Sequence, residues 1–358
     1  MKLNAHQKKL FKTLTELNGV SGLENEIAAF LKKKYIELGY EVIYDNLGSI
    51  FAYKKSKVDN PKKVMVVGHM DEVGFMAINI LDNGMIKLQP IGGLNDETLL
   101  STRIKMKTKD GKYLKGTINA LPPHLLKNSG NEKTNINNML ADFGFKSKED
   151  ALNRGAYLGA MIVFDSQFEE LCNNRYLAKA IDDRYGIVLG LQMLEQLKDV
   201  NLPYDLYVGG SVQEEVGCRG ALTSSHLLSP DLAIVLDCSP ARDSLPSNEL
   251  GQLGKGVLIR YVDGSMIAFK ELLELQIDAC KKAHVPYQYF DSPGGTDAGS
   301  IHKNLDGIPT LTHCICARSI HTASSVFDGV DYISAYKSLL YLLNHLDENK
   351  IMELKRGK

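Results

Sequence analysis

Apolar positions along the chain switch between two periods, near 3.6 and near 2, and the switches sketch most of the secondary structure. The opening "MKLNAHQKKLFKTLTEL" has helical periodicity. "SGLENEIAAFLKKKYIEL" repeats it after Ser21, which stands three residues before Glu24 as in a capping box. Short strands are predicted at "EVIYD" and "SIFAY". The following "KKVMVVGHMDEVG" holds a continuous apolar run from Val64 to Val67, the mark of a strand buried on both faces. From about residue 71 to 167 the pattern becomes β alternation, in "MAINILDNGMIKLQPIGG", "RIKMKTKDGKYLKGTINALPPHLL" and "LGAMIVFD", with turn signals at Asp82-Asn83-Gly84 and Asp110-Gly111. This stretch reads as a small β-rich insert, with "KNSGNEKTNINN" an exposed loop inside it. Afterwards helix and strand alternate again. A helix is predicted over 184–197, strands at "YDLYVGGSV", "LAIVLD" and "GVLIRYVD", a helix over 267–284, strands at "PYQYF" and "IPTLTHCIC", and a terminal helix over 332–346. The expected fold is α/β, a mixed sheet with helices on both faces built from residues 1–70 and 168–358, plus the inserted β-rich domain 71–167. Ligands of such sheets sit at the carboxyl ends of strands.

Composition narrows the function classes. The 358 residues carry 42 Lys and Arg against 43 Asp and Glu, a net charge of −1. That balance argues against nucleic acid or an anionic membrane surface as partner. No apolar run approaches the about 20 residues that span a bilayer, and the N-terminus lacks a signal-peptide core. Six scattered Cys make no disulfide framework, and Cys314 and Cys316 in "HCICAR" alternate along a strand, as packing residues do. A reducing cytoplasm is the expected compartment.

Polar residues stand where apolar runs stop. "VVGHMDE" supplies His69 and Asp71, "AKAIDDRYG" supplies Asp182 and Asp183, "SVQEEVG" supplies Glu214 and Glu215, "IVLDCSP" supplies Asp237, and "ARSIHTAS" supplies His321. Each alone has a bland explanation. A lone His after a strand is commonly a satisfied polar residue, Asp182 and Asp297 (in "GGTDAGSIH") stand where helix N-caps do, and a Glu pair is commonly a solvated face. Together, two imidazoles and several carboxylates without clustered Cys fit Zn, Co or Mn rather than a structural zinc finger. Adjacent acids at a strand end point different ways, so one of the Glu pair can bind a metal while its neighbour handles protons.

The order and wording of these segments resemble the M42 family of metallo-aminopeptidases, the group of the tetrahedral TET peptidases and glutamyl aminopeptidases. The resemblance runs from "NGVSGLENEI" through "GHMDEVGFM", "PPHLL", "VFDSQFEEL", "AIDDRYG", "QEEVGCRGA" and "GGTDAGSIH" to "SIHTAS". It implies a zinc-peptidase-like fold and a metal-dependent aminopeptidase that removes N-terminal residues from peptides with two divalent metal ions per subunit. Zinc is the first expectation, cobalt or manganese the others. On this pattern Asp182 bridges the metals, His69 and Asp237 complete one site, and Glu215 and His321 complete the other. Glu214 is the general base, Asp71 holds His69 from behind, and the Asp182–Asp183 peptide is cis. Two such ions polarise a carbonyl and generate a nucleophile at neutral pH.

The chain departs from the pattern in "SIHTASSVFDG", which lacks the usual Pro, and in "LDCSPARDS". The rival reading is a deacylase of N-acyl amino acids or peptides using the same metals. A glucanase label, carried by some members of the family, fits poorly with a His-rich set and no Trp. A scaffold role would be favoured by a missing ligand, and none is missing. Arg242 and Arg318 either line the pocket and favour acidic residues or form surface ion pairs, and His124 has no assigned role. The resemblance further implies a homo-oligomer, with the insert pairing subunits and dimers assembling into a dodecamer. Apolar stretches "GFMAINI" and "NALPPHLL" fit that surface or the insert's own core.

Overall fold

The computed structural model describes residues 1–120, 135–244 and 250–355. The chain opens with α1 (Ala5–Glu16), capped by a box in which Asn4 and Gln7 exchange side-chain and backbone hydrogen bonds, and α2 (Asn25–Leu38), ended by Gly39 in the left-handed conformation. Strands β1 (Glu41–Tyr44), β2 (Ile50–Lys54) and β3 (Lys62–His69) follow. The next six are β4 (Gly74–Ile80), β5 (Ile86–Ile91), β6 (Arg103–Lys107), β7 (Tyr113–Ile118), β8 (Leu140–Asp142) and β9 (Met161–Phe164), with the short helix α3 (Lys148–Asn153) before β9. They close on themselves as a barrel in the order β4-β5-β8-β7-β6-β9. Closure removes free sheet edges and gives the segment its own core of Phe75, Ile86, Leu88, Ile104, Met106, Ile162 and Phe164.

After the barrel come β10 (Glu169–Glu170), β11 (Arg175–Ala178), α4 (Ile181–Leu197), β12 (Tyr204–Ser211), α5 (Arg219–Leu228), β13 (Leu232–Pro240), β14 (Val257–Val262), α6 (Lys270–Lys282), β15 (Tyr287–Asp291), α7 (Ala298–Ile301), β16 (Thr310–Ala317), β17 (Ser325–Asp328), α8 (Gly329–His345) and α9 (Glu348–Glu353). The main sheet has the order β1-β2-β12-β3-β13-β16-β14-β15, and β12, β3, β13 and β16 run parallel at its centre. It is mixed, because β2 and β14 run against these central strands. Its two faces sort the continuous apolar run of β3 by parity. Val64 and Val66 enter the core shared with α1, α4 and α8, while Met65 and Val67 pack with Ala221 of α5 and Ala298 of α7. Strands β10, β11 and β17 form a separate small sheet.

Several sequence expectations shift. The terminal helix starts at Gly329, where Asp328 caps it by accepting from the Val330 amide, and a further helix α9 follows. The helix expected from residue 267 starts at Lys270, and β10, β11 and β17 were not anticipated. Asp237 does not end its strand, since β13 continues to Pro240 in register with β16. In "GFMAINI", Phe75, Ala77 and Ile80 turn into the barrel core and Ile78 is exposed, so most of that run is the insert's own interior. The stretch from Leu121 to Thr134, which includes His124 and most of the expected loop, lies outside the described residues.

Candidate metal centre

Four parallel strands deliver the site. His69 is the last residue of β3, paired in register with Ser211, the last of β12, and the chain leaving Ser211 carries Glu214 and Glu215. Asp237 comes from β13 beside β3, and His321 from the loop after β16, which flanks β13. Asp182 lies in the first turn of α4, where Asp182 and Asp183 have non-helical backbone angles and share a cis peptide bond. That turn is held from below. Arg184, fully buried, donates to the carbonyls of Leu14 and Leu17 at the end of α1 and to Met70 O, and it pairs with Glu72 at 3.4 Å. Glu72 also receives the buried Lys179 ammonium at 2.6 Å. The Asp183 carboxylate accepts from the backbone amides of His69 and Gly186 at 3.0 and 2.9 Å. Gly68 and Gly186 are required around it, because a Cβ at either would collide with Asp183 Oδ2.

The side chains from these five segments converge. His69 Nε2 lies 3.1 Å from Asp182 Oδ1 and 4.0 Å from Glu214 Oε2, and His321 Nε2 lies 3.3 Å from Asp182 Oδ2 and 3.2 Å from Glu215 Oε1. Potential ligand atoms of His69, Asp182 and Asp237 all stand within 4.8 Å of one another, as do those of Asp182, Glu215 and His321. Asp182 belongs to both groups. The far nitrogens of the two imidazoles are fixed by backbone carbonyls, His69 Nδ1 by Asp71 O at 3.1 Å and His321 Nδ1 by Gly93 O at 2.7 Å. Each Nε2 is therefore presented to the cavity. Gly93 follows β5, so the barrel segment orients one of these rings.

Asp71 stands behind His69 as expected and does more. Its backbone carbonyl lies 3.1 Å from His69 Nδ1 and its carboxylate Oδ1 pairs with the same nitrogen at 3.5 Å. The carboxylate also accepts from the amides of Glu214 (3.0 Å) and Glu215 (3.1 Å) and from Ser21 Oγ (2.6 Å). Arg242 and Arg318 form ion pairs, Arg318 with both oxygens of Asp243 at 2.8 Å and Arg242 with Asp291 at 3.6 Å. The cavity of about 390 Å³ is lined by Asp182, Glu214, Glu215, Asp237 and His321, and its guanidinium is that of Arg260, which the sequence reading missed. Arg260 sits in the buried strand β14 and donates to Asp263 Oδ2 at 2.8 Å and Ser239 Oγ at 3.0 Å. An arginine within an apolar strand run was the available signal.

The electrostatics are those of a cation site. Burial, with neighbouring acids adding to it, pushes the carboxyls of Glu214 and Asp237 well above the usual carboxylate range. Burial opposes charge on His321 too, but Asp182 and Glu215 outweigh it and raise its pKa to about 11. Glu215 Oε1 is buried without a hydrogen-bond partner, its 3.2 Å approach to His321 lacking the alignment of one. Two imidazoles and clustered carboxylates, one with an orphaned oxygen, are a donor set that fits divalent cations of the zinc, cobalt and manganese kind.

A sequence model of the M42 glutamyl aminopeptidase family matches residues 48–337. The glutamyl aminopeptidase of Lactococcus lactis is 36% identical over 347 residues, covering 96% of this chain and 98% of that one. A TET aminopeptidase from a marine sediment thaumarchaeon superimposes with a TM-score of 0.93 at 34% identity, covering 98% of this chain and 99% of that one. A TET1 peptidase of Pyrococcus horikoshii, described as able to assemble into a tetrahedron or a large octahedral shell, matches with a TM-score of 0.86 at 26% identity, covering 95% of this chain and all of that one. With family pattern, full-length relatives and fold in agreement, the chain belongs to the M42 family of metal-dependent aminopeptidases, hydrolases that remove N-terminal residues from peptides.

Proposed function

We propose that His69, Asp182 and Asp237 hold one divalent ion and Asp182, Glu215 and His321 a second, with Asp182 bridging and Glu214 as the general base. The observation that carries this reading is the membership of Asp182 in both of these ligand groups; Glu214 gathers with His69 and Glu215 in a further one, and it is assigned as the base because neither of the two groups that share Asp182 needs it to be complete. When bound, the ions supply polarisation of the scissile carbonyl and acidification of the attacking water. Glu214 takes the proton of that water and returns it to the departing amine. Asp71 sets the position of both glutamates through their backbone amides.

Zinc is the proposed native metal, with cobalt or manganese able to replace it. A preference for an acidic N-terminal residue is proposed from the glutamyl aminopeptidase relative. Metal-depleted protein refilled with Zn, Co or Mn should be screened on aminoacyl chromogenic substrates. Hydrolysis of glutamyl or aspartyl substrates with free amino groups, lost on chelation, is expected. Preferential cleavage of N-acylated substrates would establish the deacylase alternative instead.

Residues 71–167 are proposed as a dimerisation domain, with dimers building a dodecamer of the TET kind, and the compartment as the cytoplasm. The assembling TET1 relative supports the first, and six free cysteines are in keeping with the second. Size exclusion with light scattering tests the assembly, and a fully active monomer would refute it.

A further inference from the structure

A second group of donors stands on the edge of the same cavity. Cys218 follows the glutamate pair by three residues, in the left-handed conformation (φ 52°) at the start of α5, and it lines the cavity wall. Its Sγ donates to Glu214 Oε1 at 3.5 Å. Asp297, 1% exposed, comes from the far side of the sheet end at the start of α7. Its Oδ2 accepts from Ser211 Oγ, and its Oδ1 is buried without a hydrogen-bond partner. One ligand atom from each of Glu214, Cys218 and Asp297 lies within 4.8 Å of the others. The thiol has a single proton to offer two carboxylates, and giving it to Glu214 leaves Asp297 Oδ1 unsatisfied. Burial, with the acids Asp297 and Glu214 adding to it, pushes the thiol's pKa far up. Either a proton or a cation answers the unsatisfied carboxylate oxygen, and a soft divalent cation answers the sulfur as well.

We propose that Glu214, Cys218 and Asp297 form an additional, inhibitory site for a soft divalent cation such as Zn²⁺ or Cd²⁺. Tetrahedral zinc holds oxygen at about 2.0–2.2 Å and thiolate sulfur at about 2.3 Å. Ligand atoms on such an ion stand about 3.3–3.7 Å apart, so groups within 4.8 Å of one another need to contract by about 1.5 Å at most. On binding, the Cys218 Sγ–H bond breaks, its proton leaves to solvent and the thiolate binds the ion. Glu214 then serves as a ligand and no longer as a proton acceptor. This consequence rests on the assignment of Glu214 as the base, whereas the binding itself does not.

The test is a Cd²⁺ titration of the metal-loaded enzyme followed by ultraviolet absorption and bound-metal analysis. The proposed main-site ligands contain no sulfur, so a thiolate-to-cadmium charge-transfer band that Cys218→Ser abolishes reports the additional site. A band with one further equivalent of Cd²⁺ is expected, and Cys218→Ser should lose both. Asp297→Asn, which can keep the Ser211 bond through its amide oxygen, should weaken that binding tenfold or more. In the activity arm, the ratio of turnover with and without excess Cd²⁺ should fall at least tenfold in the native enzyme and less than twofold in Cys218→Ser. No band in the native protein, or an equal band in Cys218→Ser arising from a thiol such as exposed Cys172, would overturn the site. Equal inhibition of the two enzymes would overturn the inhibitory role. Failure of the base assignment would show separately, as turnover surviving in Glu214→Gln while the native enzyme still gives the band.

Discussion

The substitution Asp71→Asn examines how the two glutamates are held. Asp71 is fully buried, and its two oxygens accept three hydrogen bonds, Oδ1 from the Glu214 amide and Oδ2 from the Glu215 amide and Ser21 Oγ. Asparagine keeps one acceptor oxygen. Ser21 can rotate to accept from the new NH₂, but a backbone N–H has no such freedom, so one glutamate amide is left facing a donor. Leaving a buried donor unsatisfied costs about 1–3 kcal/mol, and the lost bonds were to a charged group, which places the effect toward the upper end. If that cost appears as displacement of the Glu214–Glu215 turn in the transition state, turnover falls by about 5- to 150-fold. The assay is kcat and KM on an aminoacyl chromogenic substrate, with metal content measured on the same sample. The expected result is a lowered kcat with both metals retained, and a smaller loss of kcat in Ser21→Ala, which removes one bond and leaves both amides paired. An Asp71→Asn enzyme turning over within twofold of native would refute the reasoning. So would loss of metal accounting for the whole defect.

Three further outcomes follow from the same geometry. Glu214→Gln preserves size but cannot take a proton, so turnover should fall by about 10²–10⁴-fold with metal content and fold unchanged, as read by kinetics and metal analysis. Asp182→Ala should lose both metals and His321→Ala chiefly one, and plasma-emission analysis finding two metals per chain in Asp182→Ala would end the bridging assignment. His313 is buried in the core with Nε2 donating to Ala335 O and Nδ1 accepting from Gln276, and burial lowers its pKa to about 4. A folded value below the unfolded 6.5 means stability fully present above pH 6.5 and lost as pH falls toward 4, worth about 3 kcal/mol. Denaturant unfolding at pH 7 and 4.5 should show a smaller acid loss in His313→Gln than in the native protein.

What was legible in the sequence follows from what each residue's neighbours in the chain reveal. His69 could be singled out because an apolar run stops on it, and the Glu pair because two adjacent acids at a strand end point different ways, so that one can bind a metal while the other handles protons. The helices and central strands were readable because their burial is one-sided or complete, which fixes a period. Arg260, inside the predicted strand "GVLIRYVD", could not be assigned a task because its partners Asp263 and Ser239 become visible only in three dimensions. Arg242 and Arg318 could not be decided for the same reason, since Asp243 and Asp291 decide them. The task of Asp71 depends on the backbone amides of residues 143 and 144 positions away, and no local pattern carries such a contact. Strands β10, β11 and β17 are short enough that pairing, rather than side-chain alternation, defines them.

The distribution of compensation among the buried acids separates the structural ones from the chemical ones. Glu72 is answered by Lys179 and Arg184, Asp183 by two backbone amides, Asp71 by two amides and a hydroxyl, and Glu24 by the amides of Gly22 and Gln213. Each of these could be carried by the fold alone, because a buried carboxylate is tolerated once donors replace its water. Among the described residues, Glu215 keeps an oxygen without a hydrogen bond beside His321, Asp237 accepts only from the amide of Cys238, and Glu214 accepts only from the Cys218 thiol, with His69 Nε2 4.0 Å away. Those three face the cavity. A fold that satisfies its supporting acids and leaves these under-satisfied has reserved them for something outside the chain. On the proposed assignment the complement of Glu215 and Asp237 is a divalent cation beside Asp182, and that of Glu214 a proton in transit.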